Sequence, residues 1–156
     1  MADKKILGFY ILVFIAACLF VIICPQVPST DLPEWTYEGV VFKEILSHAE
    51  LANYFEIASI PIPNSLGIIL IGLCHFCFSW IVAQKIAITI YITAYLLTTY
   101  YFFRIFTTAK TRWIMLFGPI YLFSNSFFWG NLNYNFGNCF LKPWIAHILM
   151  MTQVYC

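Results

Sequence analysis

Long stretches of this chain carry no charge. Runs free of Asp, Glu, Lys and Arg cover residues 6–30 (25 residues), 57–84 (28), 86–103 (18), 113–141 (29) and 143–156 (14). An α-helix rises about 1.5 Å per residue, so roughly 20 apolar residues cross about 30 Å of hydrocarbon. Three or four of the runs meet that length. Their composition agrees: 62% of the 156 residues are hydrophobic and 10% are charged, against about 45–50% and about 25% in a soluble domain. Backbone amides in lipid must be satisfied within the segment, and the runs lack the polar alternation of barrel strands, so the spans are expected to be helices. The net charge of +1 leaves no basic stripe for nucleic acid.

The fold class expected is an all-α integral membrane protein, a single transmembrane domain over 1–156. It has four to five transmembrane helices and an amphipathic interfacial helix in the first external loop. The first span, 6–24, follows Lys4 and Lys5 and closes at Pro25 and Pro28. A signal peptide starts the same way, but this apolar core runs on past Cys18 and exceeds the usual length of about 7–15 residues, so an uncleaved helix is expected. Spans over 64–83 and 86–106 follow, read as a tight hairpin turning at Gln84-Lys85. The aromatic series Tyr91 to Phe103 ends at Arg104, as in an interfacial belt. A fourth span over 113–129 contains Gly118-Pro119, which predicts a kink. A fifth over 139–156 is the last candidate, with Lys142-Pro143 inside it. With five alternating spans the basic residues divide four against four, and the positive-inside rule then assigns no orientation.

Every acidic residue lies at or before Glu56, and six of the seven fall in the polar stretch 25–62. Carboxylates beside a membrane can act as general bases or hold a divalent cation, so this external loop is the first candidate for chemistry. Asp31 stands out, between Pro28 and Pro33 just beyond the first span. Residues 38–56 read as an amphipathic helix carrying Val41, Ile45, His48, Ala52 and Phe55 on one face. An interfacial helix and a solvated connector both fit that pattern. Glu44 and His48 sit one turn apart on it. Cys74-His75-Phe76-Cys77 lacks a second ligand pair and falls mid-helix, so no zinc site is expected, and the scattered cysteines suggest no disulfide framework. The segment 130–138 holds four Asn and two Gly; it is either an interfacial turn or unwound backbone lining a cavity.

The order of features resembles a known layout. A first span leads into Asp31-Leu-Pro33. The loop closes with Tyr54-Phe55-Glu56-Ile57 and Pro61-Ile-Pro-Asn64-Ser-Leu-Gly67. Ala83-Gln-Lys85-Ile86 follows, and then Gly130-Asn-Leu-Asn133-Tyr-Asn-Phe-Gly137. This resembles the amino-terminal part of polytopic GT-C-like membrane glycosyltransferases, including uncharacterised bacterial integral membrane proteins. The resemblance implies a multi-pass protein of the bacterial cytoplasmic membrane that transfers a sugar, with inversion, from a polyprenyl-phosphate donor on the non-cytoplasmic face. It implies Asp31 as base or ligand of a divalent cation. The family's second acidic or His position has no clean match, and Glu34 or Glu38 takes its place. His48, Arg104 and Asn133 complete the candidate set as substrate-binding residues. The alternative is a non-enzymatic small membrane protein that packs as a subunit against a larger membrane partner.

Overall fold

The computed structural model describes residues 2–47, 53–57, 65–123, 127, 137, 139, 141–143 and 145. The chain forms α1 (Ala2–Ile23), α2 (Leu32–Ser47), α3 (Leu66–His75), α4 (Trp80–Phe106) and then a 3₁₀ segment, Arg112–Tyr121, with no strand among the described residues. The all-α expectation is met. Among the described residues two helices are long and apolar enough to cross a membrane, 20 residues of α1 and the 27 of α4. Helix α3, with 10 residues, rises only about 15 Å, half the thickness of the hydrocarbon.

Each boundary has a local cause. Helix α1 gives way to Pro25 and Pro28, which cannot supply the amide that a continuing helix needs. Helix α2 begins at Leu32: the Trp35 amide donates to the Asp31 carbonyl at 3.1 Å, and Pro33 occupies the first turn, where no donor is required. Its helix starts six residues earlier than the 38–56 reading, and Asn53 to Ile57 are not α-helical. Between α3 and α4 the chain turns at Phe76 to Ser79. The amides of Cys77 and Phe78 both donate to the Cys74 carbonyl at 3.1 Å, and Ser79 is extended at ψ 154°.

Two sequence readings are corrected here. Gln84-Lys85 is not a turn; it lies inside α4, and the hairpin over 64–83 and 86–106 is replaced by a short α3 and one long α4. Cys74-His75-Phe76-Cys77 is not mid-helix; it closes α3, and the His75 Nδ1–H donates to the Phe78 carbonyl at 2.9 Å. The expected kink at Gly118-Pro119 is a whole 3₁₀ stretch of 10 residues, where such runs usually stop at about 3–4.

Helices α1 and α4 run antiparallel. At one end Lys85 Nζ donates to the Ile22 carbonyl at 2.9 Å, satisfying one of the last orphan acceptors of α1. At the other, Tyr10 meets Tyr100 edge to face at 5.3 Å. The buried positions of α4 split between two neighbours: Ile88, Tyr91, Ile92, Tyr95 and Leu96 share one core with Ile6, Tyr10, Ala17 and Val21 of α1, while Ala83 and Ala87 pack with Ile71 of α3. The outer faces of α1 and α4 carry exposed Leu7, Ile11, Ile15, Leu19, Ile90 and Leu97. A helix apolar all round, with half of it uncovered by protein, suits lipid.

The chain from 112 to 123 runs back along this pair, and Phe127 packs on it further along. Tyr10 donates to the Met115 carbonyl (2.8 Å), Tyr95 to Gly118 (3.2 Å) and Ser29 to Phe127 (3.1 Å). Phe127 stacks on Tyr91 with centroids 5.8 Å apart. The tyrosine hydroxyls therefore hold the irregular backbone of this pass, which is how non-α backbone is accommodated inside a helical bundle.

Candidate functional site

Helix α2 lies at the end of the bundle where α1 finishes and α4 starts; it carries Glu34 and Glu38, and Asp31 immediately precedes it. Asp31, Glu34 and Glu38 fall at intervals of three and four, so one stripe of α2 presents all of them. Asp31 is half-buried, while Glu34 and Glu38 are exposed. Part of this placement serves the helix itself, since carboxylates in a first turn complement the positive end of the dipole. Lys43 and Glu44 form an ion pair further along.

The opposite side of α2 borders a mostly apolar cleft of about 360 Å³, lined by Gln26, Pro33, Thr36, Tyr37, Trp80 and Gln84, among others. Its floor is a buried relay. Gln84 Nε2 donates to Thr36 Oγ1 at 2.9 Å, and that hydroxyl donates to the Leu32 carbonyl at 2.7 Å. Gln84 is 1% exposed and Thr36 4%, so each needs the other: a buried polar group left without a partner costs about 1–3 kcal/mol. Helix periodicity puts Pro33, Thr36, Tyr37 and Val40 on the cleft side and the acids on the far side.

Helix α2 is fixed by close approach to α3. A Cβ on Gly39 would come within 2.8 Å of Ile71 Cγ2, and one on Gly72 within 2.8 Å of the Gly39 carbonyl. The two backbones therefore touch, as small residues permit. This places the acid stripe and the cleft on one rigid element.

Arg104 does not join them. It is exposed in the last turn of α4, 20 residues beyond Gln84 and thus about 30 Å away along the axis. His48 and Asn133 lie outside the described residues. The structure thus brings Asp31, Glu34 and Glu38 together and separates Arg104 from them. Gln84 and Thr36 were not singled out from sequence; the one available signal was an amide-bearing residue at the end of 28 uncharged positions, which reads equally well as a turn. No protein-family model, curated protein or solved structure matches the chain.

Proposed function

We propose that the protein is a multi-pass GT-C-like membrane glycosyltransferase of the bacterial cytoplasmic membrane. It transfers a sugar from a polyprenyl-phosphate donor on the non-cytoplasmic face, with Asp31 as catalytic base. The observation that carries this reading is the single carboxylate stripe Asp31, Glu34 and Glu38, held on α2 just beyond the end of α1. A base there meets an acceptor hydroxyl at the level of lipid headgroups, where a lipid-linked donor presents its sugar.

Charge distribution supports the orientation. The antiparallel pairing gathers Lys4, Lys5, Arg104, Lys110 and Arg112 at one end of the bundle, with Asp3 beside them, and leaves Lys43 and Lys85 at the end bearing the acid stripe. Five basic residues against two turn the even division of the five-span layout into a bias. The positive-inside rule then directs the basic end to the cytoplasm and α2 outward.

The test is sugar transfer from polyprenyl-phosphate donors by the wild type and by Asp31→Asn. Removal of a general base lowers the rate by about 10²–10⁴-fold, so Asn is expected to abolish measurable turnover while Glu44→Gln retains it. Equal rates in wild type and Asp31→Asn remove Asp31 from the mechanism.

A second reading, a non-enzymatic subunit, draws on the exposed apolar faces of α1, α3 and α4, which fit partner helices as well as lipid. Purification in mild detergent as one monodisperse species with no partner counts against it.

A further inference from the structure

Lys142 is the eighth basic residue, and it is held inside the bundle toward the basic end. Its Nζ donates to Thr99 Oγ1 at 2.9 Å and lies 4.1 Å from the centroid of the Tyr95 ring. It borders a cavity of about 260 Å³ whose other walls are Tyr95, Thr99, Phe102, Phe103, Gly118 and Tyr121. The hydroxyl and the ring face solvate the ammonium partly, but neither carries a negative charge. No acid occurs after Glu56 in the sequence, so α4, the 3₁₀ segment and the Lys142 segment contain no carboxylate to neutralise it. Lys142 is half-buried, and a cation partly withdrawn from water without a counter-charge carries a cost; an ammonium has three donors, of which Thr99 takes one.

Depth and shape narrow what supplies the missing charge. Thr99 lies seven residues before the end of α4, about 10 Å along the axis, and α4 at about 40 Å exceeds the hydrocarbon thickness by about 5 Å at each end. The ammonium is therefore about 5 Å below the headgroup boundary at the basic end of the bundle. The cavity is walled largely by aromatic rings, and Tyr121, one of its walls, is 66% exposed. A ligand entering between such rings carries apolar tails with its anion. Arg104, Lys110 and Arg112 cluster at the same end, a charge pattern that concentrates anionic lipid.

We propose that this cavity is a binding site for the phosphodiester headgroup of an anionic phospholipid from the leaflet at the basic end, with Lys142 as its counter-ion and Thr99 as the residue that orients the ammonium. The site is about 20–25 Å from the acid stripe measured along α4, and its occupancy is independent of any transfer reaction.

The experiment uses the full chain in detergent micelles, with the thermal-unfolding midpoint followed while phosphatidylglycerol, phosphatidylcholine or inorganic phosphate is titrated. Ligand that binds the native state raises the midpoint by mass action. Phosphatidylglycerol is expected to raise it and the other two to leave it unchanged. Lys142→Gln should weaken the phosphatidylglycerol response about five- to tenfold, as loss of one lysine contact implies, and Lys142→Arg should keep it. Where Lys142→Gln fails to fold, Thr99→Val provides a milder variant with the same expected direction, and native mass spectrometry of the wild type reads bound phosphatidylglycerol against phosphatidylcholine directly. An equal response to phosphatidylcholine, or an undiminished response in Lys142→Gln or Thr99→Val, overturns the proposal. A response to inorganic phosphate matching that to phosphatidylglycerol overturns the lipid assignment in favour of a free anion.

Discussion

At the scale of single residues, the glycines separate positions that matter from positions that do not. Gly39 and Gly72 face one another across the α2–α3 contact, where even a Cβ has no room, whereas nothing stands within 4 Å of a Cβ built on Gly8. Gly72→Leu is therefore expected to destabilise the protein by about 1–3 kcal/mol, the usual cost of overpacking. Gly8→Ala, in the interior of α1, should stabilise it by about 0.5–1 kcal/mol through the smaller entropy loss of Ala in a helix. Thermal unfolding in detergent distinguishes the two, and a Gly72→Leu protein as stable as wild type would mean that α2 and α3 do not touch. Gly118 plays the corresponding role for the 3₁₀ segment, where an added Cβ would meet the Tyr10 hydroxyl and Thr99 Cγ2. The acids Asp31, Glu34 and Glu38 share a stripe that their spacing already implies, because positions three and four apart align on any helix.

At the scale of elements, the informative result is that α4 passes straight through Gln84-Lys85. A proline in a helix interior costs about 3 kcal/mol or more, while one in a first turn is tolerated. Lys85→Pro should accordingly unfold or severely destabilise the protein, Trp80→Pro should be far milder, and Lys85→Ala controls for loss of the bond to the Ile22 carbonyl. A turn at 84–85 would give the opposite ranking, with Lys85→Pro tolerated. Circular dichroism and the unfolding midpoint measure both. The short α3 follows from the same boundary: once the turn moves back to Phe76–Ser79, too few residues remain after Ser65 to cross a bilayer. The run of 28 uncharged residues was long enough for a span, but absence of charge does not say where a helix stops. Local hydrogen bonds at Cys74 and the extended Ser79 decide that.

At the scale of the whole molecule, the antiparallel α1–α4 pair turns a scattered set of charges into two unlike ends. In a cysteine-free background, Tyr37→Cys is expected to react with a membrane-impermeant maleimide in intact cells. Lys110→Cys should react only after permeabilisation. The reverse pattern would put α2 in the cytoplasm and remove the basis for catalysis at an external lipid-linked donor. This asymmetry was hidden from the linear order of charges, because an extra hairpin in the expected layout put Lys85 with Lys4 and Lys5, moved Arg104, Lys110 and Arg112 to the opposite side, and so balanced the tally.

The charge-free runs are enough to assign the helical class, since barrel strands require a polar alternation these runs lack. They also place six of the seven carboxylates in one stretch after the first helix. The course of the chain needed the tertiary structure. Gln84 and Lys85 look like surface residues because they interrupt an apolar run, yet their partners are Thr36 and the Ile22 carbonyl, 48 and 63 residues away. The same holds for Lys142, which sits against Thr99 from 43 residues further along. Local periodicity reports which face of a segment is apolar. It carries no information about a polar side chain satisfied by a distant backbone or hydroxyl, and in this protein those long-range bonds define where the helices run and where a half-buried lysine is held.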